Sequence, residues 1–247
     1  MMEENTGTQN TDKTEYTENT EYESDFSGLY YTFGSQLIKN AFFDFSFAKA
    51  AVIEGDVFSV ETRGTVNNNF LCMVKNDGTL VVKNEHPFEQ FNFTSHDRTH
   101  TFPRILITVP KNFEFESLRI RLNAGTFTIN SVPMHCKVGS VKVNAGEIKI
   151  DSIAGGNIDF ACGAGSILFD GTTTGRCNVD CGMGSIILNI KGDSADYSCD
   201  SKVGLGSVRL NDELLTTLGR TYADKISANH ISINCGLGNV NVNIHKF

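Results

Sequence analysis

The second half of the chain repeats a short pattern of alternating apolar and polar residues. Residues 158–169 are followed, nineteen residues later, by a similar stretch at 177–188. A glycine marks the same place in each copy, at intervals of 19 to 22 residues and a last interval of 32. These repeat glycines are Gly125, Gly146, Gly165, Gly184, Gly206 and Gly238. A period of about 20 residues is typical of a solenoid.

Apolar residues occupy fixed columns around each repeat glycine. They stand seven, five, three and one residues before it, and two and four residues after it. The alternation predicts two strands in each copy, each with one buried face. The period of two breaks once, at the glycine, which we expect to form a corner with positive φ. Met183, Leu205 and Leu237, each one residue before a glycine, are therefore predicted to point inward.

Stacked copies of this length would pair as parallel strands, and parallel crossovers are overwhelmingly right-handed. The sequence therefore predicts an all-β fold, a right-handed single-stranded β-helix (β-solenoid) of about six coils over residues 105–247. Residues 26–104 alternate without a period and are predicted to form a β-rich N-terminal cap on the same domain, 26–247. Within this cap, Asn76-Asp77-Gly78 indicates a hairpin between residues 71–75 and 79–83.

Two segments depart from the repeat. Residues 1–25 carry eight acidic residues against one lysine and little apolar mass, so they are predicted to be a disordered acidic tail. An insertion between Asn211 and Asn229 accounts for the long last interval. Residues 212–218 are predicted to form a short helix that ends at Gly219 and covers the edge of the last coil. The alternative is an open end, which would allow end-to-end self-association or docking of a partner.

The charge distribution argues against nucleic-acid binding. The chain has a formal net charge of −8, most of it in the tail, so the folded part has no basic field for nucleic acid. No signal peptide and no apolar run long enough to span a membrane is recognised, which predicts a cytoplasmic location without a direct membrane span. Seven cysteines, an odd number, fit reduced thiols.

Candidate chemistry is sparse. Cys162, Cys181 and Cys235 share one inward column, and without a Cys-x-x-Cys pair they are interpreted as core residues rather than metal or redox groups. Asp151 and Asp170 belong to a polar ladder that is expected to be structural, with a cation or sugar-hydroxyl site as the alternative. The ladder stands five residues after each glycine: Asn130, Asp151, Asp170, Asn189, Asn211 and Asn243. No catalytic, cofactor-binding or metal residue, and no cofactor, is predicted.

Several motifs together resemble one family. Ile107-Thr108-Val109-Pro110-Lys111 leads into residues 118–125, Cys-Gly-x-Gly-Ser coils follow, and Asp196-Tyr197 comes late. Residues 37–247 are similar to the bacterial family catalogued as putative adhesin, a domain of unknown function. The resemblance implies a β-helix-like fold of stacked coils.

The resulting functional prediction is a non-enzymatic β-solenoid, a binding or structural module that presents its sheet faces to an unidentified protein or glycan. Two alternatives stay open. One is a carbohydrate-active β-helix enzyme, because an extended β-helix can hold a long polymer on one face. The other is the intracellular part of an envelope-stress or membrane-associated assembly.

Overall fold

The computed structural model describes residues 28–64, 69–85, 103–215, 219–221 and 227–246. The acidic segment 1–25 lies outside the described residues, and its predicted disorder stays a prediction.

The described residues form an all-β fold without an α-helix. Eighteen strands are described, and two short 3-10 turns at Ser35–Leu37 and Ser194–Asp196 interrupt them. The strands are β1 (Tyr30–Phe33), β2 (Asn40–Gly55), β3 (Phe58–Arg63), β4 (Phe70–Val74), β5 (Thr79–Asn84), β6 (Arg104–Pro110), β7 (Phe113–Ile129), β8 (Met134–Val143), β9 (Glu147–Cys162), β10 (Ser166–Thr173), β11 (Arg176–Cys181), β12 (Ser185–Lys191), β13 (Tyr197–Val203), β14 (Ser207–Leu210), β15 (Glu213–Leu214), β16 (Gly219–Thr221), β17 (Asn229–Cys235) and β18 (Asn239–His245).

Equivalent residues of the repeat copies lie side by side on parallel strands. On β10, Ile167 lies between Ile148 of β9 and Ile186 of β12. On β11, Val179 has Phe160 of β9 on one side and Ile233 of β17 on the other. All six of these side chains are at most 1% exposed. The predicted repeat of stacked, solenoid-like coils is therefore confirmed.

The stack has two main faces that meet at the repeat glycines. Face A contains β8, β11, β17 and β13 with the adjoining halves of β2, β7 and β9. Face B contains β10, β12, β18 and β14 with the other halves of β2, β7 and β9. The long strands β2, β7 and β9 pass from one face to the other, so a single core fills the space between the faces.

The first strand in this stack belongs to the segment predicted as a cap. β2 pairs with β7 along both faces, so that Phe43 lies beside Ile120, Phe45 beside Leu122 and Ala50 beside Phe127. β2 thus adds a further layer to the stack. β5 and β6 pair in turn with the outer edge of β2. The predicted hairpin is confirmed, since β4 and β5 are antiparallel and Gly78 has a φ of 75°.

The predicted inward column one residue before each glycine is wrong. Met183 is 67% exposed, Leu205 79% and Leu237 58%. The glycine itself faces the interior, and only Gly125 of the six repeat glycines has a positive φ, 108°. Glycine is required instead by close approach of the coils, because a Cβ on Gly184 would lie 2.3 Å from the carbonyl oxygen of Gly165.

The last coil in the sequence is not the last coil in space. β17 lies between β11 and β13, and β18 lies between β12 and β14. Residues 197–210 therefore form the outer coil at this end, and the assumption that the last coil of the sequence ends the stack is wrong. The chain passes to the outer coil and then returns to fill a place inside the stack.

The insertion that connects these coils does not form the predicted helix over its described residues. Asn211 and Asp212 turn the chain with φ values of 48° and 67°. β15 then pairs antiparallel with β14, and β16 pairs antiparallel with β13. The insertion therefore covers part of the outer coil's edge with strands, while residues 216–218 of the predicted helix lie outside the described residues.

Candidate binding groove

Outward side chains on face A line a polar groove at its N-terminal end. The groove has a volume of about 590 Å³. Its walls come from strands that are far apart in the sequence, because parallel stacking aligns β5, β2, β7 and the turn after β8. The lining residues are Asp44, Ser46, Asn69, Lys83, Glu85, Arg121, Asn123 and Asn144.

Asp44 and Arg121 face each other in this groove. Asp44 alternates with the buried Phe43 and Phe45 on β2, so its side chain faces outward, yet the residue is only 9% exposed. Arg121 donates from Nη1 to Oδ2 of Asp44 across a long distance of 3.5 Å. The guanidinium also lies over the ring of Phe42, 5.5 Å from its centroid. Among the described residues, Arg121 is the one hydrogen-bond donor to the Asp44 carboxylate.

A second groove continues the first along face A. It has a volume of about 460 Å³ and shares Asn144 with the first groove. Asn144 donates from Nδ2 to Oδ1 of Asn123 at 2.8 Å, and Asn234 donates to Asp180 at 3.3 Å. Gly163, Gly182 and Gly236 also line it, and the absence of side chains there keeps the floor open. We call the two together the face A groove.

One straight column of residues runs the length of the face A groove. The strand register places Lys83 beside Asp44 and Asp44 beside Arg121, and the same kind of pairing continues across seven adjacent strands. The column consists of Lys83, Asp44, Arg121, Lys142, Ala161, Asp180 and Asn234. Both signs of charge occur along it, so neither a strongly basic nor a strongly acidic track results.

The cysteines lie where the sequence interpretation places them, in the core. All seven are buried and free. Burial raises the pKa of Cys177, Cys181 and Cys199 to about 12, with neighbouring thiol and carboxyl groups adding to the shift. These thiols stay protonated at neutral pH and are poor nucleophiles. No group of three or more His, Cys, Asp or Glu side chains suited to a metal ion occurs in the described part of the chain.

The polar ladder lies along face B and is engaged within the protein. Asp151 and Asp170 are neighbours on adjacent strands. Asp151 accepts a hydrogen bond from Ser131 at 3.2 Å, and Asp170 pairs with Lys191 at 3.1 Å. Asn243 donates to Asn189 at 2.9 Å. These contacts support the structural interpretation of the ladder.

A Ser–His–Asp arrangement on face A escaped the sequence analysis. The Ser198 Oγ lies 2.8 Å from Nδ1 of His230, whose Nε2 lies 2.5 Å from Asp200. Ser232 also donates to Asp200, at 3.1 Å. The residues meet only because β17 enters the stack beside β13, and no local motif signals this. Ser198 is 5% exposed and its hydroxyl also contacts the carbonyl of Asn229, so the cluster joins the inserted coil to the outer coil.

Comparison with known proteins identifies a family that the sequence matches. A model of the family described as Toastrack DUF4097 matches residues 50–198. No curated protein matches the sequence. None of the helical segments in the described part of the chain has the length and apolar character needed to cross a membrane.

Solved structures include two similar chains. One is described as a putative cell adhesion protein from Clostridium sporogenes; it is 14% identical, with a TM-score of 0.48, covering 88% of this chain and 99% of that one. The other is described as a putative adhesin from Bacteroides fragilis; it is 13% identical, with a TM-score of 0.42, covering 87% of this chain and 96% of that one.

Proposed function

The chain belongs to the Toastrack DUF4097 family, and we propose that it is a non-enzymatic binding module whose face A groove holds a protein or glycan partner. The observation that carries this proposal is the face A groove, whose two parts share Asn144 and lie on a sheet of paired strands. Its outward groups come from strands whose backbone groups are already paired, so the backbone is fixed in place before a partner arrives. A backbone held in this way loses little entropy on binding.

The groove chemistry favours binding over catalysis. In its N-terminal part, Asp44 faces Arg121 and Glu85 pairs with Lys83. Glycoside hydrolysis needs one carboxylic acid as a proton donor beside a second carboxylate. Asp180 lies four strands from Asp44, about 19 Å at the usual strand spacing, which exceeds the ~5–9.5 Å that separates paired catalytic carboxylates. These features support a module that binds its partner unchanged.

The proposal includes the finer architecture. The stack is a right-handed, single-stranded β-helix of about six coils, with β2 as an added layer. The preference of parallel crossovers for the right hand supports the handedness. Six copies of the repeat glycine support the number of coils.

Filling the groove tests this function. The full chain and two variants, Asn144→Trp in the groove and Asn130→Trp on exposed face B, would be assayed against arrays of purified glycans and proteins. At least one array member should bind the native chain and the Asn130→Trp control, and bind Asn144→Trp at least tenfold more weakly. All three proteins should melt at similar temperatures, because both asparagines are exposed.

Three results would contradict the proposal. Binding that survives Asn144→Trp would place the partner elsewhere on the molecule. Release of new reducing ends from a bound glycan, abolished by Asn144→Trp, would make the groove an active site. The absence of any binding across the arrays would remove the basis for a binding module.

A further inference from the structure

The face A groove has the geometry of a site for one class of partner. We propose that the face A groove binds a neutral, linear polysaccharide that lies along the stacking axis. This inference rests on the proposed binding function. Asp44 and Arg121 hold the hydroxyl groups of one sugar, and Lys142, Asn144, Asp180 and Asn234 hold those of the following sugars.

The spacing of the groove favours a linear polymer. Neighbouring strands lie about 4.8 Å apart, so the seven strands from β5 to β17 extend the column of outward residues over about 29 Å. Polar side chains recur along this line with the same step, Arg121 beside Lys142 and Asp180 beside Asn234. A glycan chain presents hydroxyl groups at a similar repeat, so one chain can meet several layers in succession.

The charges favour a neutral polymer. Three cations, Lys83, Arg121 and Lys142, line the groove together with three anions, Asp44, Glu85 and Asp180. A uronate polymer or a polyphosphate would meet carboxylates in both parts of the groove. Sugar hydroxyls both donate and accept, so they can donate to Asp44 and Asp180 and accept from Arg121 and the asparagine amides.

Asp44 has hydrogen-bond accepting capacity that the described residues do not use. Its carboxylate receives only the 3.5 Å contact from Arg121 among these residues, and its side chain is 12% exposed, so a ligand in the groove can reach it. A carboxylate can accept several hydrogen bonds. A sugar hydroxyl seated in the groove would complete this set, while the stacking of Arg121 on Phe42 holds the guanidinium ready.

The same face disfavours a peptide strand as the occupant. Peptides that extend a sheet use unpaired backbone groups at an edge. The groove lies on the flat of face A, where β2, β7, β8, β9, β11 and β17 each pair with strands on both sides. Recognition there depends on side chains, which suits a ligand rich in hydroxyl groups.

Calorimetric titration of the full chain tests the inference. The probes are cellohexaose, mannohexaose and the N-acetylglucosamine hexamer, their disaccharides, and hexagalacturonate as the anionic counterpart. At least one neutral hexasaccharide should bind, at least tenfold more tightly than its disaccharide and than hexagalacturonate. Asp44→Asn and Arg121→Gln should each weaken that binding at least tenfold.

Arg119→Gln is the matched control, because Arg119 lies on the same strand and face but does not line the groove. Its affinity for the hexasaccharide should stay within about twofold of the native value. Arg121 is exposed, so Arg121→Gln remains decisive if Asp44→Asn impairs folding.

The inference is overturned if no neutral hexasaccharide binds, if hexagalacturonate binds more tightly, or if Arg119→Gln and Arg121→Gln lose equal affinity. A protein partner that Asn144→Trp displaces, in the absence of hexasaccharide binding, would overturn the glycan inference and leave the proposed binding function intact. A partner that Asn144→Trp does not displace would overturn the binding function at this groove.

Discussion

An aspartate in place of Val179 should leave no cooperatively folded protein. Val179 is 1% exposed and lies in the core between Phe160 and Ile233 on adjacent strands. An unpaired carboxylate there would cost several kcal/mol, a large part of the ~5–15 kcal/mol that stabilises a typical domain. Far-ultraviolet circular dichroism during heating should show no transition, or expression should give only insoluble protein.

Ser185→Asp is the control for this substitution. Ser185 lies on β12, faces outward, and has the neutral Ser166 and Asn239 beside it. The same new charge should therefore change the free energy of unfolding by no more than about 0.5 kcal/mol. A soluble Val179→Asp protein with the native melting curve would show that β11 presents its other face to the core.

The second large effect is expected at Gly184. An alanine Cβ there would lie 2.3 Å from the carbonyl oxygen of Gly165 and 2.4 Å from the Sγ of Cys162. Because Gly165 contributes backbone atoms that are fixed by the stack, the coils must separate locally. We expect Gly184→Ala to lower the free energy of unfolding by about 3 kcal/mol, the upper part of the range for overpacked cores, as measured by urea denaturation.

Met183→Ala is the matched control in the same turn. The Met183 side chain is 67% exposed, so its truncation should change the free energy of unfolding by no more than about 0.5 kcal/mol. The alternation in the sequence predicts the reverse, with Met183 inside and Gly184 at the corner. A larger loss for Met183→Ala than for Gly184→Ala would restore that expectation.

The columns of buried residues could be predicted because alternation along a strand determines which side chains share a face. Ile167 and Ile186 are fully buried, and Cys162 and Cys181 are each 4% exposed. The corner could not be placed by the same means. Glycine has no side chain to add to the apolar pattern, so the alternation alone cannot distinguish an inward Gly184 from an inward Met183.

The order of the coils could not be read from local pattern. Ile231, Ile233 and Cys235 of β17 present the same kind of inward row as β11 and β13, so β17 fits equally well after β13 or between the two. The interval of 32 residues before Gly238 was the one indication of a longer path. It allows a return into the stack but does not require one.

The face A groove escaped prediction for the same reason. Asp44 and Arg121 are 77 residues apart and meet only through the pairing of β2 with β7. β2 carries Ala48 opposite the repeat glycine Gly125, so this layer lacks the glycine that marks the other copies. The alternation in Phe43-Asp44-Phe45 matches that in Ile120-Arg121-Leu122 and was the available signal.

The inserted coil places Asn234 beside Asp180 and completes the groove. Lys246, just after β18, lies 2.8 Å from Asp193, which follows β12. Zero-length carbodiimide cross-linking followed by mass spectrometry should therefore join Lys246 to Asp193 in the native chain, and Asp193→Asn should abolish that link. Cross-links from Lys246 to Asp212 or Glu213, with none to Asp193, would place the last coil outside β14 and contradict the account.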